Sequence, residues 1–283
     1  MGALRHKLAK MSGLDRRYIF LVMGLAVILP FLVPLDFSAT PGEQTLIFEA
    51  ALDEAIAAEG PIFMELAYGN QTMSEMEPIA LAVMHHLFSS EKKVVFFTLY
   101  ETAAAFTRRY LAELEPVYGL TYGKDYVFLG FASAFTTAMY NMGNSIEEVY
   151  HEDDRGTPIR DLPLMQGIES LKDGSALIDI AANSNPRFWV NFAVAPHDIR
   201  FLMATTAVDG PNYFPFLQTG QVKGLIAGGR AGAEYEGLLK QRGILSGVGD
   251  ATRALGSQSL SLLVIIVFII IGNVGYFAGR KRS

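Results

Sequence analysis

Residues 224–239 read GLIAGGRAGAEYEGLL, an apolar run that ends in two glycines and turns into a small-residue helical pattern. Strand, glycine turn and helix, in that order, is the recurring join of α/β proteins, and many of them hold a phosphate there. The details separate the two uses. A P-loop needs Gly-Lys-Ser/Thr after its glycines, and the dinucleotide fingerprint needs G-x-G-x-x-G after the first strand with an acid further on for the ribose. Gly228-Gly229-Arg230-Ala231-Gly232 is G-G-x-x-G after the last apolar run and has neither. The favoured reading is close helix–sheet packing through Gly232 and Ala233. An anion at the helix N-terminus, assisted by Arg230, is the alternative.

Outward from this stretch the same join repeats. Apolar runs predict strands over 62–67, 93–99, 126–131, 175–181, 199–207 and 222–227. Helical patterns lie between them: 41–58, stopped by Gly60-Pro61; 74–88, opened by a capping box of Ser74 and Glu77; and 102–118, with Phe106, Tyr110, Leu111, Leu114 and Val117 on one stripe. Further helices are expected over 135–142, 163–171 and 185–194, the last opened by Asn185-Pro186, with a short one from Pro211 to Gly220. This alternation predicts an α/β fold with a Rossmann-like, doubly wound, mainly parallel sheet of about six strands. The strands are near-continuous apolar runs, as expected when helices cover both faces.

The ends differ from the middle. The chain has 283 residues, 51% hydrophobic and 18% charged, and the apolar excess lies in two uncharged stretches, 18–35 and 260–279. Each is about long enough to cross a hydrocarbon core of roughly 30 Å as a helix. The first also resembles a secretory signal, but Phe37 falls where a cleavage site needs a small residue, so an uncleaved anchor is expected. The predicted organisation is a basic tail (1–17), a transmembrane helix (18–35), an α/β domain (36–242), a Gly/Ser-rich linker (243–259), a second transmembrane helix (260–279) and a basic tail (280–283).

Charge orients that arrangement. The first tail holds five cations against Asp15, a net +4, and the second holds Arg280, Lys281 and Arg282, a net +3. The whole chain is −6, so the stretch between the tails carries −13. The positive-inside rule places both termini in the cytoplasm and the acidic domain outside the cytoplasmic membrane, periplasmic or extracellular. An acidic domain is a poor match for nucleic acid. There is no cysteine, hence neither disulfide nor thiolate chemistry.

Four stretches carry a resemblance: ALAVMHHLF (80–88), KDYVFLGF (124–131), RGTPIRDLPLMQGI (155–168) and TTAVDGPNYFPFLQTGQVKGLIAGGRAGAEYE (205–236). With them the chain resembles an uncharacterised group of bacterial membrane-anchored α/β-domain proteins. The resemblance implies the architecture and no catalytic residue.

In an open α/β sheet, ligands bind beyond the carboxyl ends of the strands. The residues expected there are Tyr68, Asn70 and Thr72; Tyr100 and Glu101; Ser133; Asn183 and Ser184; Thr206 and Asp209; and Arg230. They make either a polar rim for a small ligand or ordinary turns and caps. Glu147, Glu148, Glu152, Asp153 and Asp154 lack the spacing of a calcium loop and read as a solvated acidic surface. His85 and His86 are neighbours on a helix and point apart, so no metal is assigned. No G-x-S-x-G elbow is present. Asn70-Gln71-Thr72 matches a glycosylation sequon, a pattern common by chance. In the second apolar stretch, Gly272, Asn273, Gly275 and Gly279 read as a helix-packing face.

The expectation is a non-catalytic, membrane-anchored accessory or docking subunit without cofactor. Its partners are the bilayer and a membrane protein or a second copy of the chain. A tethered small-ligand sensor is the alternative, and an enzyme working at the strand rim is the third reading.

Overall fold

The computed structural model describes residues 15–33, 39–133 and 135–279. The chain divides into two units: an α/β domain, Ser38–Ala251, and a helical unit made of Met1–Phe37 with Thr252–Ser283.

In the α/β domain six strands form one parallel sheet: β1 (Ile62–Ala67), β2 (Val94–Thr98), β3 (Tyr126–Phe131), β4 (Ala176–Ala181), β5 (Phe201–Thr205) and β6 (Gly224–Ala227). Their spatial order is β3-β2-β1-β4-β5-β6, the Rossmann order, with every pair parallel. The order reverses between β1 and β4, which pair along their whole length from Ile62 opposite Ala176 to Ala67 opposite Ala181.

Period-2 alternation sends side chains to two separate cores. On one face Ile62, Met64, Phe96, Ile178 and Leu202 pack against α2 (Glu43–Ala57), α3 (Met73–Ser89), α4 (Glu101–Tyr118) and α8 (Gly228–Gln241). On the other, Phe63, Val95, Leu177, Phe201 and Met203 meet α5 (Phe135–Met142), the irregular stretch 146–171 and α6 (Asn185–Trp189). A π turn, Val190–Val194, follows α6, and a 3-10 turn (Gly210–Tyr213) leads into α7 (Phe214–Gln218).

Several expectations need correction. Residues 163–171 hold no continuous helix but a single 3-10 turn, Pro163–Met165, with the next at Leu171–Asp173. Gly167 at φ +78° breaks the run, and the amide of Leu164 is taken by the carbonyl of Gly123. The capping box at 74–77 does not form. Thr72 stands at the N-cap of α3, and the Glu77 carboxylate is held by Arg109 at 2.5 Å instead of turning back on the helix end. Val117 is exposed and leaves the expected stripe.

In the helical unit the first apolar stretch is α1, Arg16–Leu32, capped by Asp15 accepting from the Arg17 amide. Its 17 residues run about 25 Å, short of the roughly 30 Å core, and Pro34 and Leu35 of the expected span lie outside the described residues. The last helix, α9 (Asp250–Gly279), has 30 residues. Among the described residues it is the one helix long and apolar enough to cross a membrane, so the expected pair of spans is reduced to one. It starts ten residues before Leu260, absorbing most of the expected linker; Asp250 lies in its first turn, where an acid suits the helix dipole. Within this unit the Ser257 hydroxyl donates to the Val27 carbonyl at 3.0 Å, so α9 and α1 touch. The basic tails, 1–14 and 280–283, lie outside the described residues.

Candidate functional site

The glycine turn after β6 resolves into packing. Gly228 has φ +84°, and a Cβ there would stand 2.6 Å from Ala207 Cβ and 3.1 Å from Glu75 Oε1. A Cβ on Gly232 would stand 2.8 Å from Ile79 Cγ1 and 3.5 Å from Ala251 Cβ. The surface that needs Gly232 is helix α3, not the sheet as expected. Arg230 is 76% exposed and pairs with Glu234 one turn on, Nε to Oε1 at 3.1 Å. The other oxygen of Glu234 accepts from the Gly42 amide (2.9 Å) and the Thr45 hydroxyl (2.7 Å). The first turns of α8 thus already carry a buried acid that fastens the start of α2, which leaves poor electrostatics for a second anion.

Because all strands are parallel, their carboxyl ends share one edge, and the expected rim residues fall along it in strand order. Not all reach solvent. Tyr68 is buried, its hydroxyl 3.1 Å from that of Tyr110. Thr72 bonds the Gly69 carbonyl, and Thr206 and Asp209 bond one another at 3.1 Å, closing their own turns. Tyr100 is half-buried beside Gly69, whose added Cβ would lie 3.2 Å from the phenol oxygen. Asn70, Glu101, Ser133 and Ser184 are exposed. Ser133 joins Phe131, Thr137, Asn141 and Glu148 around a cavity of about 330 Å³ at the β3 end of the rim.

One rim residue spans the point where strand order reverses. The Asn183 side-chain amide donates to the Ala67 carbonyl at the end of β1 (2.9 Å), and its side-chain oxygen accepts from the Asn185 amide (2.8 Å). Its own carbonyl accepts from the Tyr213 hydroxyl at 3.3 Å.

Under Asn183 lies a feature that the sequence reading missed. Glu65 of β1 and Asp179 of β4 are in register on adjacent strands, hence on the same face, and both are fully buried. Glu65 Oε1 accepts from the Leu99 amide (2.8 Å) and Asn185 Nδ2 (3.2 Å), and Oε2 accepts from Trp189 Nε1 (2.5 Å). Among the described residues neither oxygen of Asp179 has a donor. Burial raises the Glu65 carboxyl to about 7, against the lowering effect of its three hydrogen bonds. Burial, and then the neighbouring Glu65, push Asp179 well above the ordinary carboxylate range. The signal was present in the strands themselves: IFMELA and ALIDIA each carry one acid, at the fourth of six positions, in an otherwise apolar run.

Elsewhere the titratable groups serve structure. His86 is buried and ties α3 to α8 through Nδ1 and the Tyr235 hydroxyl (2.6 Å), with Nε2 facing Asp53 at 3.1 Å. Burial lowers it to about 4. His85 turns the other way, to the Tyr118 hydroxyl at 2.7 Å. Among the described residues no three His, Cys, Asp or Glu side chains group as a metal site. The acidic cluster is not simply a solvated surface. Asp153 is buried, taking the Tyr122 hydroxyl at 2.6 Å and the amides of Arg155 and Thr157, and Asp154 holds Arg108 through two bonds.

In α9, Asn273 donates to the Ile269 carbonyl one turn back at 2.9 Å, so its amide finds a partner in its own helix. No heavy atom lies within 4 Å of a Cβ placed on Gly272. Compared with known proteins, the chain matches no family model, no curated protein and no solved structure.

Proposed function

We propose that the protein is a membrane-anchored accessory subunit that presents an acidic α/β domain outside the cytoplasmic membrane and docks on a membrane-protein partner or a second copy of itself. One observation supports the reading: α9 is long and apolar enough to span, and its Ile265, Ile266, Ile269, Ile270 and Phe277 are exposed, a surface that suits lipid or another membrane helix. The basic run Arg280-Lys281-Arg282 after α9, against the acidic middle before it, supports the orientation. The test is purification in mild detergent with identification of every co-eluting chain. The expected result is a stoichiometric membrane-protein partner or a discrete homo-oligomer. A monodisperse single copy under conditions that preserve known membrane complexes would rule the reading out.

The alternative, a tethered sensor of a small ligand, is favoured by a different observation. A buried Asp179, without a donor among the described residues, lies beside Glu65 at the switch point, where sheets of this order receive ligands. Native mass spectrometry of the full-length protein from micelles would then show a retained small molecule that is lost in Asp179→Asn.

A further inference from the structure

We propose that Glu65 and Asp179 form a proton site in the β1–β4 seam: while Asp179 holds its proton the seam stays closed, and loss of that proton opens the carboxyl edge of the sheet under Asn183. The inference goes beyond either functional reading and depends on neither.

The two carboxyls are equipped for different states. Glu65 receives donors from β2 (Leu99) and α6 (Asn185, Trp189), an arrangement that suits an anion. Among the described residues Asp179 receives none, an arrangement that suits the neutral acid. Among the described residues the groups that face the pair are hydroxyls. From the stretch before Arg155 comes Tyr150, a buried phenol that feels Glu65 and donates to the Thr98 carbonyl at 3.3 Å. From the 3-10 turn comes Tyr213, raised to about 12 by burial and then by Asp179, with Asp209 raising and Arg187 lowering it. On β5, Thr205 shares the sheet face of Asp179, two positions beyond its partner Met203, and its hydroxyl is buried without a partner among the described residues. Among the described residues the influences on the two carboxyls are burial, the hydrogen bonds to Glu65 and the carboxyls themselves, with no cation among them. Two adjacent buried anions without a counter-charge are costly in a medium of low dielectric. Ionising Asp179 therefore requires water, and water reaches the pair by parting the seam. The fastening beyond the end of the β1–β4 ladder is the Ala182 amide on the Ala67 carbonyl (3.1 Å), joined by Asn183 Nδ2 on the same carbonyl and the long Tyr213 bond to the Asn183 carbonyl.

The experiment is amide hydrogen exchange on the full-length protein in detergent micelles between pH 6.5 and 8.5, corrected for intrinsic exchange. The amides of residues 66–68 and 181–183 should open about tenfold more per pH unit, the slope for one proton released on opening. Asp179→Asn, nearly isosteric, should flatten that slope. A measurement on the unaltered protein guards against a variant that fails to fold: carboxyl carbon shifts, after labelling of Asp and Glu, should show one neutral aspartic acid at pH 7. Seam exchange independent of pH after correction, the same slope in Asp179→Asn, or an Asp179 ionised at pH 7 would each overturn the proposal.

Discussion

Gly232 matters through the Cβ it lacks. Helix α8 lies on α3 at a distance where a side chain would enter Ile79, 2.8 Å from Cγ1, with Ala251 behind it. Gly232→Leu should therefore destabilise the α/β domain by roughly 1–3 kcal/mol, the range for overpacking a close contact. Arg230, exposed and paired with a Glu234 that has two other donors, should be nearly neutral on replacement by Ala. Chemical denaturation of both variants checks the pair. If Arg230→Ala keeps the fold but abolishes binding of a phosphate-bearing ligand, the packing account of the glycine turn fails. The turn was legible in residues 224–239, but its partner was not. Sequence order puts a sheet beneath the helix; the return of α8 across α3 is a tertiary event.

At the scale of elements, the strands were readable because an all-parallel sheet covered on both faces demands continuous apolar runs. The stretch 146–171 was not, because Ile146, Tyr150, Ile159, Leu162 and Leu164 are buried by core packing without a regular period. Helix α9 was legible from hydropathy, and it carries a prediction about assembly. Gly275 and Gly279 stand four residues apart and hence near one face, where small residues let backbones approach. Replacing both with Leu keeps length and hydrophobicity, so insertion should persist while the detergent-solubilised particle loses partner mass on a sizing column. Asn273→Leu should do less, since its amide already bonds Ile269. A particle unchanged in the double variant, with all partners retained, would make α9 a passive tether.

For the whole molecule, two predictions follow from charge. With α9 as the one helix long enough to span among the described residues, the basic run 280–283 that follows it should be cytoplasmic and the α/β domain outside, so protease added to intact spheroplasts should remove the α/β domain. Digestion of the C-terminal run alone would reverse the orientation. The second concerns pH. His86 is depressed from 6.5 to about 4, so its stabilising contribution is present above 6.5 and is lost as pH falls through 4. Glu65 is raised from 4.5 to about 7, so its contribution is fully present below 4.5 and is lost as pH rises through 7. Asp179 shifts in the same direction as Glu65. The two effects oppose one another between about 4.5 and 6.5. Above that only the carboxyls act, and the unfolding midpoint of the full chain should fall between pH 6.5 and 8. In Asp179→Asn that alkaline fall should shrink, while the His86-dependent loss on the acid side should remain.

The order of apolar runs, glycine turns and helical stripes was enough by itself to determine a Rossmann-like α/β domain, and the length and hydropathy of residues 260–279 to determine a helix long and apolar enough to cross a membrane. These are local, periodic properties, and the physics behind them, strand alternation and helix rise against bilayer thickness, acts within a few residues. The carboxyl pair was decided only by tertiary structure. Glu65 and Asp179 are 114 residues apart in the chain and become neighbours because β4 enters the sheet beside β1, in a register that places them side by side. Whether an acid in an apolar strand is solvated, paired or held neutral depends on what covers that face. Here the cover is α6, with Trp189 and Asn185 turned to Glu65 and, among the described residues, no donor turned to Asp179.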